Sequence, residues 1–317
     1  MRQKTKLGSN QKMDWVAILD FGSQYTHLIA RRARECGVYS EIVRHDISAP
    51  DLLRRRPCAI ILSGGPASVI KSKSPACNRD IFNLGIPVLG ICYGAQLMAK
   101  CLGGEVTQSR AREYGKAALK LNLPSALFKG LLKKETVWMS HGDKVTKLPE
   151  GFRIIGSTDN AHIAAMENRL RNFYGVQFHP EVVHTPKGKR ILRNFLISIA
   201  RAQPSWSMRS FVRDSISELR EEIGKERVLC ALSGGVDSSV LAILLHKAIG
   251  KNLICIFIDN GLLRKDEARM VRKRFAGRYR INLKMVDARQ VFLSALAGIR
   301  DPERKRRIIG RVFIEVF

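Results

Sequence analysis

Acidic residues are scarce in this chain: 28 Asp and Glu stand against 55 Lys and Arg, giving a formal net charge of +27. So basic a balance points to anionic ligands, either nucleic acid or phosphorylated small molecules. The excess is spread along the chain, however, and is densest over 269–280 and 304–311. Apart from Phe275 and Tyr279, aromatic residues do not interleave with those basic runs as a single-strand stacking platform requires, so nucleic acid is not expected as the main partner. Long apolar runs are lacking too. None approaches the roughly 20 residues of a membrane span, which excludes a helical membrane protein. The basic start, Met1-Arg2-Gln3-Lys4-Thr5-Lys6, has no apolar core behind it, so it reads as an extension over 1–13 and not as a secretory signal. The seven cysteines have no paired spacing, which argues against a zinc site or a disulfide framework and for a reducing, cytoplasmic setting.

What is present is a repeated alternation of strand and helix. At 317 residues with 45% hydrophobic content, the chain has room for about two cores. Trp15–Leu19 reads as a buried strand ending at Asp20-Phe21-Gly22-Ser23-Gln24. Ser23 is a candidate N-cap for the helical spacing of Tyr25, Leu28, Ile29, Ala33 and Cys36. Short strands follow at 41–43 and 59–62, the second running into Ser63-Gly64-Gly65-Pro66. Such alternation predicts an α/β fold with a parallel sheet covered on both faces and ligands at the C-terminal strand ends.

One turn at those ends is chemically marked. Ile86–Gly90 reads as a strand, Cys92 stands between Gly90 and Gly94, and a helix carrying Ala95, Leu97, Met98, Cys101 and Leu102 follows. Glycines on either side allow a tight turn that pushes the central side chain outward, and the helix start behind it favours a thiolate. A buried structural cysteine would fit the same stretch. The Gly64 and Gly65 amides are candidate donors to an oxyanion. Val137–Asp143 reads as a strand ending in a polar cluster, where His141 alone reads as a structural histidine. Asn172–Glu181 alternates like a strand and presents His179 and Glu181 two residues apart, a base with its orienting carboxylate. Ile191, Leu192, Phe195, Leu196 and Ile199 then form one apolar helix face, and Gln203-Pro204-Ser205 breaks the pattern.

Beyond the break lie an amphipathic helix (Phe211, Ile216, Leu219, Ile223) and a strand over 228–232. The turn Ser233-Gly234-Gly235-Val236-Asp237-Ser238-Ser239 follows, and then an apolar helix stopped by Gly250. Open amides, hydroxyls and a helix start make a phosphate cradle, although the Gly-Lys-Ser/Thr ending of a Walker loop is missing. Asp237 is a candidate Mg²⁺ ligand, because that ion commonly takes one or two carboxylates plus phosphate oxygens. Leu253–Ile258 is the next strand, and Asp259-Asn260-Gly261 ends it at the same side.

Gly90–Gln96, with Ser63–Pro66 and Phe178–Glu181, resembles a class I glutamine amidotransferase domain over about 14–200. The resemblance implies a flavodoxin-like domain with Cys92 as nucleophile, His179 as base then acid, and Glu181 as its partner. It further implies Gly65 and Tyr93 amides as the oxyanion hole, Gln96 as a glutamine contact, and hydrolysis of a Cys92 thioester to glutamate and ammonia. Ser233–Ser239 resembles the pyrophosphate loop of the ATP pyrophosphatase group, a Rossmann-like (adenine nucleotide alpha hydrolase-like) fold; this implies ATP held by Ser233, Gly234, Gly235, Val236, Asp237, Ser238 and Ser239. Together the two are similar to the family of glutamine-hydrolysing GMP synthetases, which implies glutamine, ATP, Mg²⁺ and xanthosine monophosphate, with homodimerisation through a further C-terminal domain. The expected division is 1–13 extension, 14–202 amidotransferase domain, and 203–317 ATP pyrophosphatase domain, incomplete at its C-terminal end by comparison with the family. A stand-alone glutaminase supplying ammonia to a partner, or a non-catalytic nucleotide- or RNA-binding remnant, remains open at this point.

Overall fold

The structure, a computed structural model, describes residues 13–317, so the extension expected over 1–13 lies outside it but for Met13. The chain divides into two compact units at Ser207/Met208. In the first, β1 (Trp15–Asp20), α1 (Thr26–Glu35), β2 (Tyr39–Arg44), α2 (Ala49–Arg55), β3 (Ala59–Leu62), β4 (Val88–Ile91) and α3 (Tyr93–Cys101) alternate. Next come β5 (Glu105–Leu121), β6 (Lys134–Lys147), β7 (Arg153–Ser157), β8 (Ala165–Asn168), β9 (Phe173–Val176) and α4 (Gly188–Arg193). The nine strands form one sheet in the order β2-β1-β3-β4-β9-β8-β7-β5-β6. From β2 to β9 neighbours are parallel, as the alternation predicts. From β9 to β6 they are antiparallel, an extension that the helix–strand rhythm does not announce.

Period-2 geometry explains why the interior parallel strands β1, β3 and β4 are apolar along nearly their whole length, whereas the edge strand β2 carries Ser40, Glu41 and Arg44. Val16, Ile18, Ile61, Leu89 and Ile91 pack on one face, while Ala17, Leu19, Ile60, Leu62 and Val88 pack on the other. β9 is buried at all four positions, and burial continues through residue 182, so the stretch read as an alternating strand is interior on both sides. β6 does not end at its polar cluster. It continues to Lys147, and its inward positions pass from Val137 and Met139 to His141 and Asp143, then back to Val145. Ser23 does not cap α1: its Oγ accepts the Tyr25 N–H at 3.1 Å, and the helix begins at Thr26. After α4 the helix widens, with the Ala200 N–H donating to the Phe195 carbonyl; Ile191, Leu192, Phe195 and Leu196 are buried there.

The second unit contains α5 (Met208–Ile223), β10 (Val228–Ala231), α6 (Val236–Ile249), β11 (Leu253–Asp259) and α7 (Glu267–Arg272). β12 (Asn282–Asp287), α8 (Arg289–Leu296) and α9 (Pro302–Val316) complete it. Its three strands are parallel, in the order β10-β11-β12. Cys230, Cys255, Phe257 and Leu245 form one small core, and Ile258, Phe292 and Val312 form another. No helix among the described residues is long and apolar enough to cross a membrane.

Candidate active site

Cys92 stands between β4 and α3 with φ 50° and ψ −107°, a backbone conformation that disfavours side chains. The surrounding contacts impose it. The Cys92 N–H extends the ladder to the Val176 carbonyl at 2.7 Å, and the Gly94 N–H donates to the Ser63 carbonyl at 3.1 Å, so the chain is gripped on both sides of the thiol. A Cβ at Gly94 would run into the Leu62 carbonyl oxygen, and one at Gly90 would come within 2.6 Å of the Ala95 backbone. Only glycine lets α3 begin this close to the sheet.

Opposite the thiol, His179 follows β9. Its N–H donates to the Trp138 carbonyl at 3.0 Å, and its own carbonyl accepts from Thr185 Oγ1 at 2.6 Å. The imidazole Nδ1 lies 2.7 Å from Glu181 Oε1, and Tyr25 packs edge-on against the ring. Both partners are buried, and Glu181 Oε2 has no hydrogen-bond partner among the described residues. Burial opposes a charge on the ring, but the Cys92 sulfur and the Glu181 carboxylate outweigh it and push the His179 pKa up to about 10. The site therefore favours the protonated ring.

Cys92, His179, Tyr93, Gln96, Gly65 and Ser140 line a single cavity of about 970 Å³ within this unit. The loop after β3 brings Gly64 beside both His179 and Cys92, and among the described residues neither the Gly65 nor the Tyr93 N–H has an acceptor. Two free amides, one in the loop after β3 and one at the start of α3, converge beside the thiol and are suited to an oxyanion. Gln96 is buried, and its Nε2 donates to the Asp143 carbonyl at 2.7 Å and to Gln177 Oε1 at 3.2 Å. Gln177 Nε2 in turn lies 3.7 Å from Cys92 Sγ, and the Ser140 carbonyl lies 3.6 Å from the same sulfur. Gln177 and Ser140 were missed by sequence reasoning. Gln177 is the neighbour of Phe178 on a buried strand end, a signal that was there to use.

Ser233–Ser239 belongs to the second unit. Gly235 is the N-cap of α6, the Gly235 N–H and Ser238 Oγ both turn toward Ser233 Oγ (3.3 and 2.9 Å), and Ser239 Oγ donates to the Gly235 carbonyl. Asp237 is exposed in the first turn. No group of three or more His, Cys, Asp or Glu suited to holding a metal occurs among the described residues. A lone exposed carboxylate fits a magnesium ion that arrives with phosphate oxygens, not a cage built by protein alone.

Comparison with known proteins gives the following. The family model for glutamine amidotransferase class-I matches residues 17–199, and that for the tRNA methyl transferase HUP domain matches 226–287. The chain is 54% identical over 302 residues to the GMP synthase [glutamine-hydrolyzing] of Caldicellulosiruptor saccharolyticus, covering 95% of this chain and 59% of that protein. It is 53% identical over 304 residues to that of Clostridium perfringens, covering 96% and 60%. The chain thus spans about 59% of the length of the curated relatives it matches. Among solved structures, a putative GMP synthase component from Thermoplasma acidophilum matches with TM-score 0.52 and 32% identity, covering 61% of this chain and 96% of that one.

Proposed function

The chain belongs to the class I glutamine amidotransferase family, and on that premise we propose that it hydrolyses glutamine at Cys92 and delivers the ammonia to GMP synthesis. The observation that carries the first half is the strained Cys92 turn facing a buried His179–Glu181 pair held at 2.7 Å. Cys92 sulfur adds to the carboxamide carbon of glutamine while the Gly65 and Tyr93 amides receive the developing oxyanion. His179 takes the Cys92 thiol proton and gives it to the departing amine while Nδ1 stays bonded to Glu181, so ammonia leaves and a thioester remains. It then takes a proton from water, whose oxygen attacks the thioester, and glutamate departs as the thiol is restored. Glu181 keeps the imidazole in the tautomer these transfers need. Gln96 shapes the wall against the substrate side chain.

The second half rests on the relatives' printed name and on the loop of the second unit. Ser233–Ser239 holds the phosphates of ATP through amides, hydroxyls and the start of α6, and Asp237 holds the Mg²⁺ that comes with them. That ion neutralises phosphate charge when bound. The residues' own task is to grip the phosphates while xanthosine monophosphate is adenylated and then aminated, giving GMP, AMP and pyrophosphate. All seven cysteines are free, which supports a cytoplasmic site of action. Following glutamate, AMP and GMP in one assay, with and without Mg·ATP and xanthosine monophosphate, tests both halves. Glutamate release that survives Cys92→Ala would remove the first; glutamate with no GMP would confine the activity of this chain to the first.

A further inference from the structure

A second buried ionisable pair borders the cavity that holds Cys92. Glu113 and His141 are register partners on β5 and β6, just past the irregularity that follows Gln108. Their side chains are 9% and 2% exposed, and His141 Nε2 lies 3.3 Å from Glu113 Oε2. On its far side Glu113 Oε1 accepts from Thr158 Oγ1 at 3.2 Å, and Thr158 Oγ1 accepts the Ala161 N–H at 3.0 Å. The other ring nitrogen, Nδ1, stands 3.0 Å from the Asp143 carbonyl.

This geometry fixes one ring hydrogen. A carbonyl oxygen only accepts, so His141 Nδ1 carries a hydrogen and donates it to Asp143. Nε2 faces Glu113 Oε2 at 3.3 Å and has no hydrogen-bond partner among the described residues, so the carboxylate is the polar group this nitrogen meets. Burial draws the His141 pKa below its ordinary value and Glu113 opposes that, so the ring depends on this particular neighbour. The Asp143 carbonyl is the same one that accepts from Gln96, and Gln96 bonds Gln177, which reaches Cys92 Sγ. A continuous polar chain thus runs from the Thr158 turn to the nucleophile.

We propose that Glu113 is a positioning residue of the amidotransferase site: through His141 it holds the Ser140–Asp143 wall, and with it Gln96, in the geometry that receives the glutamine side chain. The inference rests on the reading of Cys92 given above. A pair that merely joined two strands would need no carbonyl shared with Gln96.

The test is steady-state glutamine hydrolysis by the full chain carrying Glu113→Ala, Glu113→Gln or Glu113→Asp, together with ¹⁵N shifts of the His141 ring. Glu113→Ala should raise KM for glutamine about tenfold or more with a smaller change in kcat, because placement and not proton transfer is lost. Glu113→Gln should recover most of the loss, since its amide can donate to Nε2 and leave the Nδ1 hydrogen in place. The ring shifts should show a hydrogen on Nδ1 in the parent and should move at Nε2 in Glu113→Ala, where the carboxylate facing that nitrogen is gone. Should that variant not fold, Glu113→Asp, which withdraws the carboxylate by one methylene, carries the same expectation. A melting-temperature loss with KM and ring shifts unchanged would overturn the proposal. If the parent hydrolyses no glutamine, it is the reading of Cys92 that fails, and the ring shifts alone then decide whether Glu113 sets the state of His141.

Discussion

Both units place a marked turn between a parallel strand and a helix, yet they build it in opposite ways. After β4 the turn is strained and closed: Cys92 has positive φ, and seven of the nine residues of α3 are buried. After β10 the turn is relaxed and open: Gly235 has φ −69°, Val236 is 78% exposed, and Val240 and Leu241 on α6 also face solvent. Covalent chemistry on an amide needs one sulfur fixed against a base and two donors, and packing must enforce that geometry against backbone strain. Gripping a phosphate needs amides and hydroxyls that can be approached from outside. The same sequence grammar serves both, and burial decides which chemistry each turn is suited to.

Breaking the closed turn should have the largest effect. Cys92→Ala is expected to lower glutamine hydrolysis by at least ~10³-fold, read as glutamate release per chain. Glu181→Gln follows, at roughly 10²–10⁴-fold in kcat, because His179 loses the partner that orients it. That substitution also carries a pH signature. His179 is raised to about 10 in the folded site, so its contribution to stability is fully present below the ordinary histidine value and fades as pH rises toward 10. Melting curves from pH 6 to about 10 should show a shallower slope in Glu181→Gln, because Cys92 still favours the charged ring. An unchanged slope would mean that Glu181 does not hold the charge.

Packing comes third. Gly94→Ala forces a methyl against the Leu62 carbonyl and should cost about 1–3 kcal/mol in denaturant unfolding, together with most of the activity. Asp237→Ala, in the open turn, should weaken Mg·ATP binding, seen by calorimetry; equal affinity would detach this loop from the nucleotide. The smallest effect is expected at Leu229, which is 57% exposed on β10: Leu229→Thr should shift stability by no more than about 0.5 kcal/mol. A larger loss there would show that the open unit is more tightly built than its exposure suggests.

The features most legible in the sequence were local ones. Apolar runs of four to six residues gave β1, β3 and β11 nearly to the residue and β4 with a start two residues early, and glycine pairs marked both turns. Cys92, His179 and Glu181 were legible because each lies at a strand end with an unusual neighbour. Glu113 was not, since its meaning depends on a partner 28 positions away, and antiparallel register is invisible to periodicity. His141 read as structural because a polar residue inside a strand resembles a strand end. The exposure of α6 was hidden for the converse reason: an apolar helix announces burial, and Val236 and Val240 do not obey.

The position of β9 has a consequence in time. It is the last strand of the first unit to be synthesised, yet it lies fifth of nine in the sheet, bonded to β4 on one side and β8 on the other. A chain leaving the ribosome therefore carries two half-sheets with facing open edges until residues 173–176 slide between them. His179 emerges only three residues later, so the thiol waits without its base for as long as the sheet waits for its centre. On the proposed roles of Cys92 and His179, closure of the fold and completion of the site become one event, and stalled chains ending before Phe173 should be both protease-sensitive and chemically silent.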